Sequence, residues 1–110
     1  MGLDVSSMNV VEELEFARLL DDGEWWVIED KVLAKYPVVS RGKTSTLFEM
    51  WFDFVELPNG DRLICRAYYP KNVPLKIIRS TLRSWNEKWR RKLAEASPAL
   101  QALGINVWGD

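Results

Sequence analysis

The stretch LFEMWFDFVELPNGDRLICRAYY, residues 47–69, holds two runs rich in aromatic and β-branched side chains on either side of Asn59-Gly60. Asn-Gly takes up positive φ at little cost, so the pair marks the tight turn of a β-hairpin with strands over 47–57 and 62–69. A two-residue turn pairs Phe54 with Cys65, Phe52 with Ala67 and Met50 with Tyr69, which builds one nearly all-apolar face. The same register sets Val55 against Ile64, Asp53 against Arg66 and Trp51 against Tyr68 on the other face. A three-residue bulged turn slips the pairing by one and puts Phe52 against Arg66 and Asp53 against Cys65, mixing apolar with charged. The two-residue turn is therefore the expectation.

Downstream of the hairpin, Pro74 suits the first turn of a helix over 75–96. Leu75, Ile78, Leu82, Trp85 and Trp89 recur at steps of three and four, an apolar stripe that requires a surface to cover. The face carrying Phe48, Met50, Phe52 and Phe54 is the expected surface. Ser97-Pro98 reads as the N-cap and first position of a short final helix to Leu103, closed by Gly104. The apolar tail 105–108 is expected to dock.

Upstream, Asn9 and Glu12 form an N-x-x-E capping pattern and Gly23 follows as a stop, which predicts an N-terminal helix over 10–20. Residues 24–39 are ambiguous, because Trp25, Ile28, Val32 and Tyr36 fit helical spacing whereas Trp26, Val27 and Ile28 favour strand. A strand over 32–39 is the reading, and Pro37 makes it an edge strand. Together these elements predict one α+β domain spanning residues 1–110. Its antiparallel three-stranded sheet, with hairpin 47–69 central, packs on the long C-terminal helix, with an N-terminal helix and a short final helix around it.

With 47% hydrophobic and 28% charged residues, the composition is that of a globular domain. One cysteine, Cys65, allows no internal disulfide, which points to a reducing, cytoplasmic setting. No apolar run reaches the roughly 18 residues that span a bilayer, so no membrane role is expected. Met1-Gly2 with Ser6 matches a myristoylation pattern, but no polybasic stretch follows as a second anchoring signal.

The absence of histidine excludes His-based acid/base, nucleophilic and metal-ligand chemistry. Cys65 reads as a small buried residue rather than a nucleophile. The carboxylate pairs Asp21 with Asp22, Glu12 with Glu15 and Glu49 with Asp53 lack a distinctive spacing. Arg41-Gly42-Lys43-Thr44-Ser45 ends like a phosphate loop but lacks its first glycine, and reads as a basic connection between strands. No catalytic, cofactor or metal site is expected, and the chain is read as a non-enzyme.

The charge is segregated. Residues 1–30 carry nine acids and one base, a net −8, while residues 31–110 carry fourteen bases and seven acids, a net +7. Two contact surfaces follow. The outer hairpin face mixes Trp51 and Tyr68 with Asp53 and Arg66, a composition suited to half-coverage, either by the N-terminal helix, which is the plainer reading, or by a protein partner. With the segregated charge it makes a regulatory or adaptor module the leading functional reading. The alternative is nucleic-acid binding through Arg41, Lys43, Lys76, Arg79, Arg83 and Arg90, unless the acidic segment neutralises the helix from within the fold.

Overall fold

The computed structural model describes residues 8–45 and 47–102, with side chains up to residue 92. Its strands are β1 (Asn9–Glu13), β2 (Ala17–Asp21), β3 (Trp25–Asp30), β4 (Val38–Ser45), β5 (Glu49–Glu56) and β6 (Arg62–Pro70). A 3-10 turn, Leu33–Lys35, precedes β4, and one helix, α1 (Leu75–Ala102), follows β6. The strands form a single antiparallel sheet in the order β1-β2-β3-β6-β5-β4, two three-stranded meanders joined through β3 and β6.

This sheet overturns the expected three-stranded architecture and its N-terminal helix. Residues 10–20 fold as a hairpin, β1 against β2, because Val10 and Val11 favour strand and the chain turns at Leu14, whose N–H bonds Ala17 O at 2.8 Å. The misleading feature is Leu19-Leu20. Both faces of the sheet are covered at β2, so Leu19 and Leu20 are 0% and 1% exposed in succession and the two-residue alternation of a strand disappears. Asp22-Gly23 is a hairpin turn rather than a helix stop. Asp22 Oδ1 accepts the Glu24 and Trp25 N–H groups at 2.9 and 2.6 Å, and Gly23 takes φ +97°.

The ambiguous segment 24–39 divides into β3, the 3-10 turn and the start of β4. Pro37 lies just before β4, which pairs with β5 alone and is an edge strand as expected, although it runs over Val38–Ser45 rather than 32–39. Residues 41–45 are therefore strand, not a connection. The helix continues past Ser97-Pro98 to Ala102 as one element, so the break and restart at that proline do not occur. Residues 1–7, with the Met1-Gly2 and Ser6 pattern, and residues 103–110, with Leu103, Gly104 and the apolar tail, lie outside the described residues.

The central hairpin keeps the expected pairs Trp51–Tyr68, Phe52–Ala67 and Asp53–Arg66 but reaches them by another route. Its turn has three residues, Pro58 to Gly60: Gly60 N–H bonds Leu57 O at 2.9 Å, Leu57 N–H bonds Asp61 O at 2.8 Å, and Gly60 adopts φ +92°. Near this turn the pairing is slipped by one, with Phe54 against Ile64 and Val55 against Leu63 instead of Cys65 and Ile64. A bulge at Cys65, the extra residue between the Asp53–Arg66 and Phe54–Ile64 pairs, takes up the slip. Two irregularities cancel, which leaves the charged pair in register.

Helix α1 packs over β2 and β3, where Ile78 and Leu82, both 0% exposed, meet Ala17, Leu19 and Ile28. Burying such side chains contributes about 1.5–3 kcal/mol each. Two polar ties fix this position. Asn86 Oδ1 accepts the Phe16 N–H at 2.7 Å, and the indole N–H of Trp89 donates to Asp30 Oδ2. The expected stripe from Leu75 to Trp89 is present, but its target is the β2–β3 half of the sheet. Only Phe48 of the anticipated hairpin residues joins that cluster.

Candidate functional site

On the sheet face turned away from α1, the pairing lines up one charged residue from each strand. Glu13, Arg18, Glu29, Arg66, Asp53 and Arg41 are successive cross-strand partners from β1 to β4, so the charges alternate across all six strands. Arg18 Nε reaches Glu29 Oε1 at 2.6 Å, Arg66 Nε reaches Glu29 Oε2 at 2.8 Å, and Arg66 Nη1 lies 3.6 Å from Asp53 Oδ2. Arg41 Nε closes the row on Asp53 Oδ1 at 2.7 Å, while Glu13 turns to Lys31 at 2.6 Å. Opposite charges directly across strands attract, and burial strengthens the attraction while making any unpaired member costly. The hydrogen bond to Asp53 holds the Arg41 guanidinium more strongly protonated than usual. Burial works against the charge of Arg66, and its neighbours, Glu29 foremost, outweigh that effect.

The next row on this face is Leu20, Val27, Tyr68, Trp51 and Lys43. Leu20, Val27 and Tyr68 are buried with Met8, and Trp25 and Trp51 pack at their margin. Tyr68 donates its hydroxyl to Asp53 Oδ2 at 2.6 Å; burial and that bond to a carboxylate push its ionisation far above the ordinary tyrosine range. Trp25, Trp51, Tyr68 and Arg41 enclose a small hollow of about 200 Å³, with Arg41 5.1 Å from the Tyr68 ring centre.

On the helix side, the position of α1 over β2 and β3 leaves the β5 half open. A groove of about 600 Å³ runs between them, floored by Met50, Phe52, Phe54 and Ile64 and walled by Trp85 and Trp89. Lys88, Lys92 and Arg62 stand at its margin. Asp30 is the one acid among the described residues of the lining, and it is occupied: Oδ1 accepts Val32 and Leu33 N–H at 2.9 Å each, and Oδ2 accepts from Trp89. Burial raises its carboxyl to about 6 despite these donors. Burial, and then the neighbouring Lys88, lowers the Lys92 ammonium.

The expected partner-contact residues are thus brought together, in the expected pairs, but most of their bonding capacity is satisfied inside the chain. Asp53 and Tyr68 are 2% and 3% exposed, and Trp51 is half-buried. Of the basic residues, Arg41 is held by Asp53 and Lys43 by Glu49 at 3.3 Å. Arg79 meets Glu12 at 3.3 Å and Arg90 meets Glu15 at 3.7 Å, so the acidic segment neutralises part of the helix. Lys76 and Arg83 are exposed and form no ion pair with a described residue. The carboxylates read as candidate pairs serve turns and ion pairs, and among the described residues no group of three or more Cys, Asp or Glu could hold a metal.

Sequence reading missed Arg18 and Glu29 as members of the row, because their strands were assigned elsewhere. It also missed the groove, whose margin carries Lys88 and Lys92. Their four-residue spacing beside Trp85 and Trp89 was the available signal. No family model, curated protein or solved structure matches the chain.

Proposed function

We propose that this chain is a non-enzymatic module that acts in the cytoplasm by binding another protein, and that the groove beside α1 is its contact surface. One observation carries this reading: the helix covers half of an apolar sheet face and leaves Met50, Phe52, Phe54 and Ile64 lining an open hollow. Open apolar ground of that kind on a domain with a complete core marks a binding site. Trp85 offers a large, rigid side chain of the type that dominates contact energies. The competing reading, phosphate contact through α1, is weakened by the pairing of Arg79 and Arg90 with Glu12 and Glu15.

Trp51 and Phe52 are neighbours on β5 and address opposite faces, so they separate the two surfaces. Affinity capture with wild type, Trp51→Ala and Phe52→Glu, each checked for native circular dichroism, is the test. Loss of the captured partner with Phe52→Glu alone supports the groove, and loss with Trp51→Ala alone moves the contact to the outer face. Retention by both variants rejects the reading.

A further inference from the structure

Resting on the protein-binding reading, we infer that the groove takes a short acidic amphipathic helix from its partner. Among the described residues, the charge around the hollow is mostly basic, with Arg62, Lys88 and Lys92 against Asp30. Arg18, Lys31, Arg41, Arg66, Lys71, Arg79 and Arg90 all meet carboxylates within the fold, whereas Lys88 and Lys92 form no ion pair with a described residue. Arg62, across from them, holds Glu56 loosely at 3.4 Å with both side chains about half exposed, at 59% and 46%. Asp30 attracts Lys92 from within the fold but forms no ion pair with it, because its oxygens are engaged by Trp89, Val32 and Leu33. Lys92 lines the hollow beside its wall, with Nζ 5.0 Å from the Trp89 ring centre.

The dimensions match a helical segment. Met50 to Phe54 is four strand steps, about 13 Å at roughly 3.3 Å each. Trp85 to Lys92 is seven helical steps, about 10 Å at about 1.5 Å each. Two turns of a helix cover about 11 Å, which places residues i, i+3/i+4 and i+7 on the Met50–Phe54 floor and carboxylates beside Lys88 and Lys92.

Three synthetic helical peptides with the same apolar face, flanked by Glu, Gln or Lys and free of Trp, test the inference by isothermal titration calorimetry against the whole chain. The Glu peptide is expected to bind about tenfold tighter than the Gln peptide and the Lys peptide weakest. Lys88→Glu with Lys92→Glu should reverse that order, and Phe52→Glu should abolish binding of all three. Equal binding of the Glu and Gln peptides, or an order unchanged in the Lys88/Lys92 variant, overturns the acidic specificity and leaves the protein-binding reading standing. Binding of sodium oleate but of no peptide overturns both, as does concentration-dependent dimerisation that Phe52→Glu removes, because the occupant is then a small amphiphile or a second copy.

Discussion

Arg66 faces Asp53 directly across β6 and β5 and also holds Glu29 on β3, so one guanidinium stands between two buried carboxylates. Removing it leaves both acids in a poorly hydrated row with less positive charge. Arg66→Ala should therefore lower stability by about 3 kcal/mol, read from the urea midpoint. Arg66→Lys keeps a positive charge between the two acids and should recover most of that loss, whereas Arg66→Met keeps only the packed stem. Arg66→Met as stable as Arg66→Lys would show that the row acts through packing rather than charge.

Asp30 makes stability depend on pH with a definite sign. Its folded carboxyl is raised to about 6 from 3.8, so the native state binds a proton more tightly than the unfolded chain. The contribution is full below about pH 4 and is lost as pH rises through about 6. Between about pH 5 and pH 7.5 wild type should lose roughly 1.4 kcal/mol on this account, and Asp30→Asn should lose that slope. A slope that persists in Asp30→Asn assigns it to another group.

Cys65 is 0% exposed, and burial pushes its thiol up to about 11. Labelling by a disulfide reagent at about pH 8 should be negligible in the native protein and complete in urea. Rapid native labelling would mean that the bulge opens readily.

Gly60 and Gly42 are required for different reasons. At Gly60 a side chain meets nothing within 4 Å but must accept φ +92°, so Gly60→Ala should cost about 1–2 kcal/mol through backbone strain. At Gly42 a Cβ would come within 3.1 Å of Phe54 Cε2, so Gly42→Ala should displace that ring and weaken groove binding more than folding. Urea melts and peptide titration separate the two effects.

Arg79 and Arg90 meet Glu12 and Glu15 at exposed positions. Arg79→Ala and Arg90→Ala should each shift stability by less than about 1 kcal/mol. A larger loss would mean that these pairs hold the β1–β2 hairpin to α1.

Much of the local chemistry was legible in the chain itself. The turn at Asn59-Gly60, the pairs Trp51–Tyr68 and Asp53–Arg66, the helical stripe and the edge character after Pro37 all follow from short-range pattern, because a turn and a two-residue period determine which side chains are neighbours. Cancellation of the three-residue turn by the Cys65 bulge was not legible, since each irregularity alone looks unfavourable and only their combination restores the register. Residues 9–30 were misread because a strand covered on both faces, as at Leu19-Leu20, carries no alternation, and Asn9 with Glu12 imitates a helix cap. Only the tertiary structure could align six charges from six strands and set α1 over β2 and β3 rather than β5. The ties that decide that placement, Asn86 to Phe16 and Trp89 to Asp30, span 70 and 59 residues, a separation at which no local pattern carries information.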